Sequence, residues 1–176
     1  MRYLLLACFA LIATSAHATP ITKDMANNYY GSCMAKTTEG MSAESQKLLC
    51  ACTAANMMNN MSVEDVKAMA QQDQNGRNAT NKMVVDVYAP CIEYPAKEYY
   101  YNTCISNPQT AQMSKNPQGL CTCLGNEMAS YLKANSRAVF QDLLMRNPAM
   151  VDPMSALTSD PKFQQFAQNK LLGCVR

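Results

Sequence analysis

Apolar and small residues recur at intervals of three and four along most of this chain, and no stretch sustains strand-like alternation with β-branched residues. That periodicity predicts helices. Thr22 is placed to cap a first helix running to about Lys36, with Met25, Tyr29, Cys33 and Met34 on its inner side. Gly40 breaks the chain, and Ser42 caps a second helix reaching about Asn60, with Glu44 favourable in its first turn. Ser62-Val63-Glu64-Asp65 is close to a capping box, with Asp where the longer Glu is usual. It opens a helix carrying Val63, Val66, Met69 and Ala70 on one face. Asp73 to Asn78, which contains Gly76, reads as a turn, and Thr80 to Ala89 as a fourth helix ended near Pro90. Beyond Ala96 the pattern predicts helices near 96–106, 118–134, 136–146 and 161–172.

The start of the chain has a different texture. Arg2 is followed by a nearly unbroken apolar run from Tyr3 to Ala13, then by Ala16-His17-Ala18, a small-x-small site. This predicts a secretory signal peptide over residues 1–18 and a mature chain starting near Thr19. The run is too short for a membrane-spanning helix. Leu5-Leu6-Ala7-Cys8 also resembles the motif that precedes a lipidated cysteine. Cleavage there would leave too short a signal, with the apolar run continuing past the cut.

Export changes the meaning of the cysteines. Cys8 belongs to the signal segment, which leaves Cys33, Cys50, Cys52, Cys91, Cys104, Cys121, Cys123 and Cys174. An even number in an exported chain predicts a disulfide framework. Their spacing repeats: Cys33 to Cys50 spans 17 positions, as does Cys104 to Cys121, and each is followed by a CxC. Tyr29-Tyr30-Gly31-Ser32-Cys33 matches Tyr100-Tyr101-Asn102-Thr103-Cys104, and Met57 matches Met128. The final gaps differ, 39 against 51, with the added length expected around Arg146 to Lys162. The expected fold is therefore all-α, two tandem duplicated disulfide-stapled helical units of about four helices each, over residues 19–94 and 95–176.

On a helix, residues i and i+2 point about 200° apart. The two cysteines of a CxC then cannot pair with each other, since a disulfide needs Cβ atoms within about 4.5 Å. Each can reach a different neighbouring helix. Two pairings per unit remain: Cys33–Cys50 with Cys52–Cys91, or Cys33–Cys52 with Cys50–Cys91. A turn centred near Gly40 favours the first, and the second unit should follow with Cys104–Cys121 and Cys123–Cys174. Closing a 17-residue loop stabilises by about 3 kcal/mol in the chain-entropy model. This is useful to units whose cores lack Trp and hold few aromatics.

Charge and chemistry narrow the function. Without Arg2 the fifteen Lys and Arg become fourteen, against thirteen acids, scattered singly. No basic footprint for nucleic acid or anionic lipid results. His17 is the one histidine and falls in the signal segment, so histidine-based triads are not expected. The acids do not recur between units, and no cofactor motif is found. Met57, Met58 and Met61, with CxC, could form a soft Cu(I) site or serve a thiol exchanger. Read structurally, Met57 and Met61 stand at i and i+4 as core filler, and Leu132 takes the matching place of Met61. Tyr29, Tyr30, Tyr99, Tyr100 and Tyr101 are the candidate interface residues, because adjacent tyrosines on a helix cannot all face inward. The expected function is an exported, non-enzymatic, disulfide-stabilised binding protein in a periplasm or outside the cell, its partner a protein or small ligand. A thiol-redox or soft-metal protein is the alternative.

Overall fold

The computed structural model describes residues 18–36, 40–150 and 152–175. The expected signal segment, with Cys8 and His17, lies outside them except for Ala18.

The described chain is helical, with one isolated antiparallel bridge, Pro20 to Ser62, outside the helices. Helix α1 (Lys23–Met34) is capped by Thr22, whose hydroxyl accepts from Met25 N. Its C-terminal carbonyls would be orphaned, as at any helix end. The buried Gln46 answers them: its amide donates to the carbonyls of Cys33 and Lys36. Gly40 adopts φ 79°, the left-handed region that glycine enters freely, and turns the chain into α2 (Ala43–Asn60). Ser42 caps α2 through Ser45 N.

The capping box forms as the sequence predicts. Asp65 N donates to Ser62 Oγ at 3.0 Å and Ser62 N to Asp65 Oδ2 at 2.9 Å, opening the short α3 (Val63–Ala68). The turn predicted over 73–78 is instead the start of α4 (Gln74–Lys82), with Asp73 as its cap, accepting from Gly76 N at 2.8 Å. Gly76 is there for closeness rather than for turning: a Cβ on it would stand 1.9 Å from the Gln71 carbonyl oxygen.

The α-helix gives way well before Pro90, and the winding continues through it. The chain widens into a π segment (Met83–Tyr88), tightens into a 3-10 turn (Ala89–Cys91), and runs on as α5 (Glu93–Ser106). Proline has no N–H to give the carbonyl four residues back. That carbonyl, on Asp86, accepts from Asn60 Nδ2 at 3.1 Å, and the neighbouring Val87 carbonyl accepts from Asn56 Nδ2. Asn60 of α2 thus replaces the donor that Pro90 lacks, and Asn56 adds a second tie beside it.

After the single turn α6 (Thr110–Met113), α7 (Pro117–Arg146) runs for 30 residues, roughly 45 Å. The break predicted near residue 135 does not occur. Asn135 donates its side chain back to the Tyr131 carbonyl, and Ser136 is buried within the helix face. Helix α8 (Pro153–Ser159) occupies the longer final gap, and α9 (Pro161–Cys174) closes the fold. Asp160 caps α9 and is held by Arg146 from the end of α7. Burial opposes ionisation of Asp160. Hydrogen bonds from Arg146 and Phe163 N outweigh it and leave the pKa below the ordinary aspartate range.

Four disulfides join Cys33–Cys50, Cys52–Cys91, Cys104–Cys121 and Cys123–Cys174, with Cα–Cα distances of 5.4 to 5.9 Å. Each CxC therefore links its helix to two different partners. Two apolar clusters form. The smaller holds Ile21, Ala26, Met57, Met61 and Val87. The larger gathers Tyr100, Met128, Leu132, Phe140, Leu157 and Phe163, and it also takes in Val84, Ala89 and Ile92. The expected unit boundary at 94/95 falls in the first turn of α5, and the larger cluster draws on residues from both sides of it.

Candidate functional site

Helices α2, α5 and α7 meet around an open groove of about 680 Å³. Its floor follows from residue size. On α7, Gly125, Ala129 and Ser130 present almost no side chain. Gly125 lets α5 approach so closely that a Cβ there would lie 2.7 Å from the Lys97 carbonyl oxygen. The walls are long: Leu48 from α2, and Tyr94, Lys97 and Tyr101 from α5. Leu48 is exposed, while Leu49 beside it is buried.

Charges line the rim in a fixed arrangement. Glu93 pairs with Lys133 at 3.3 Å, and Glu98 accepts from Ser42 N at 2.8 Å. The latter bond, with Asn102 Nδ2 donating to the Gly40 carbonyl, ties the turn before α2 to α5. Glu44 and Lys97 enter no ion pair among the described residues. The groove therefore carries two charged groups without an ion-pair or side-chain hydrogen-bond partner among the described residues, Glu44 and Lys97, beside Glu98, which holds Ser42 N, and a floor of small residues.

The tyrosines singled out from sequence are distributed. Tyr101 lines this groove. Tyr100 turns the other way into the larger cluster, where burial raises its phenol above the ordinary range. Tyr99 is 39% exposed and lines a smaller groove with Gly40, Met41 and Asn102. Tyr29 packs on the smaller cluster, and Tyr30 is half-buried on α1 away from the groove. Three adjacent residues on one helix turn by about 100° each, so one run of tyrosines serves three surroundings. Leu48, Lys97 and Lys133 carried no sequence signal for the site. Gly125 was likewise not singled out, and its closeness to α5 shows only in the fold.

The residues of the soft-metal and redox alternative are placed differently. All eight cysteines of the described chain are in disulfides, so neither CxC presents a thiolate. Met57 and Met61 are buried in the smaller cluster, and Met58 packs against it. Asn56 Nδ2 donates to Cys91 Sγ at 3.1 Å, covering the Cys52–Cys91 bridge with an amide.

Groups with displaced pKa values lie elsewhere and have structural partners. Asp65 is opposed by burial but lowered by Lys82 and Ser62, and burial raises Tyr88. None of them lines the groove. Compared with protein-family models, curated proteins and solved structures, the chain matches none.

Proposed function

We propose that this protein is an exported, non-enzymatic binding protein built of two duplicated helical units, and that the α2–α5–α7 groove is its ligand site. One observation carries the reading: exposed Leu48 and half-buried Tyr101 stand beside a small-residue floor in a groove that also holds Glu44 and Lys97, neither in an ion pair among the described residues. That layout suits a short peptide segment, whose apolar side chain would lie on the floor while its charged groups meet Glu44 and Lys97. The disulfides support an oxidising compartment outside the cytoplasm. The repeated cysteine spacing supports duplication, with the units meeting at the start of α5. The displaced titratable groups are caps and core phenols rather than a converging acid and base, which favours binding over catalysis.

The test is an amide-resolved NMR titration of the oxidised mature protein with a library of zwitterionic tetrapeptides bearing one Leu or Tyr. Shifts should collect on Leu48, Lys97, Tyr101 and Ser130, and Leu48→Lys should weaken the affinity at least tenfold. Shifts confined to other surfaces, or an unchanged affinity in Leu48→Lys, would remove the groove as the site.

A further inference from the structure

Thr19 is held more firmly than a residue at the edge of a processed segment needs to be. Its backbone N donates to Glu64 Oε2 at 2.9 Å and its hydroxyl to Glu64 Oε1 at 2.7 Å. Its carbonyl accepts from Val63 N at 2.9 Å, and Pro20 forms the antiparallel bridge with Ser62. Ile21 follows, 4% exposed in the smaller cluster. Both oxygens of one carboxylate thus converge on a single residue, the one that follows the small-x-small site Ala16-His17-Ala18.

We propose that Ala18–Thr19 is the processed bond and that Glu64 is the built receptor for the Thr19 α-ammonium group that processing creates. The chemistry balances as a hydrolysis performed by an endopeptidase of the export machinery. Water adds across the Ala18–Thr19 amide, and the C–N bond breaks. Ala18 leaves as a carboxylate, and Thr19 keeps a nitrogen that carries three protons at neutral pH. The neutral amide donor at 2.9 Å from Glu64 becomes a cation at the same place. The hydrogen bond becomes charge-assisted, which is the stronger kind. Thr19 and Ala18 are exposed, so the bond stands at the surface and the new terminus needs no burial. Glu64 already sits well below the usual carboxylate range, at about 2, chiefly because of its hydrogen bond from the Thr19 side chain. It is therefore ionised across the whole pH range in which the terminus titrates.

The other charged groups on the packed elements are Asp65, Lys67, Lys82, Lys23 and Asp24, and none of them is hydrogen-bonded or ion-paired to Thr19 or Glu64. Asp65 is engaged by Lys82 and by Ser62 N, Lys67 lies in the last turn of α3, and α1 begins with Lys23 and Asp24. The sign of the pH dependence follows from the pairing. An α-amino group ordinarily titrates near about 7.7–8.0, and a carboxylate partner raises that value in the folded state. Its contribution is complete below the unfolded value and is lost as pH rises through the folded one.

Exported protein should begin at Thr19 by intact mass, with an α-amino pKa, from pH-dependent competitive acylation, at least half a unit above its value in Glu64→Gln. A form extended by Ala18 should have an α-amino group that Glu64→Gln does not shift. A start at another residue would overturn the assignment. So would equal α-amino pKa values in the Thr19-start protein and its Glu64→Gln variant.

Discussion

The two halves of the chain carry the same cysteine order on different interiors. The first is made of short helices joined by caps and turns, and its cluster is mostly Met and small aliphatics: Met25, Met57, Met58, Met61, Met69 and Met83. The second is organised on one 30-residue helix and packs rings together. Tyr131 lies 4.1 Å from Phe166 between centroids, and Phe163 lies within 6.2 Å of Tyr100. Bridges with a sequence separation of 17 tie α1 to α2 in the first half and α5 to α7 in the second. A cysteine pattern thus specifies which helices are joined and leaves the filling between them open. Polarity differs at matching places too. Asn56 covers the Cys52–Cys91 bridge, whereas Glu127 meets Lys170 at the surface beside Cys123–Cys174.

That contrast can be broken most forcefully in the ring-packed core. Phe140 is fully buried, and Phe140→Ala should cost about 3–5 kcal/mol in denaturant unfolding. Met57→Leu in the first half should stay within about 1.5 kcal/mol, because the thioether there is adaptable filler. Equal losses would mean the two interiors are equally specified. Next in size, replacing Cys123 and Cys174 by Ala should cost roughly 2–4 kcal/mol. The same bridge should open first under limiting reductant, since Cys104 and Cys121 are both buried while Cys123 and Cys174 are partly exposed. Alkylation and peptide mass would show the order, and early loss of Cys104–Cys121 would contradict it. Smallest, Ser62→Ala should remove about 1 kcal/mol by dissolving the capping box, a device of the short-helix half.

Much of the helical layout was legible because local rules govern it. Ser42, Ser62 and Thr22 cap where their side chains can reach the third amide, and the divergence of i and i+2 dictates that a CxC serves two neighbours. What escaped depends on partners distant in sequence. Gly76 looks like a turn until the Gln71 carbonyl is known to lie against it. The unbroken α7 was hidden because Gly125 and Ser136 interrupt the apolar stripe Cys121, Met128, Leu132, Phe140 and Leu143 without leaving its face. The winding through Pro90 required Asn56 and Asn60 from another helix. The groove is a cleft between three helices, and only Tyr101 among its walls belonged to a residue pattern visible in one dimension.

The four bridges also determine what a single cut does to the chain. Between Cys33 and Cys174, a severed peptide bond inside any of the four closed loops leaves one covalent molecule. The bonds outside every loop are those flanking Ala51, those flanking Thr122, and the run from Cys91 to Cys104. The first two sets lie in α2 and α7, and the third winds from the 3-10 turn into α5. Proteases act on extended, opened backbone. Where this chain could be parted by one nick, its backbone is coiled, and the exposed connections that invite attack after α3 and α7 lie within loops that hold the pieces together.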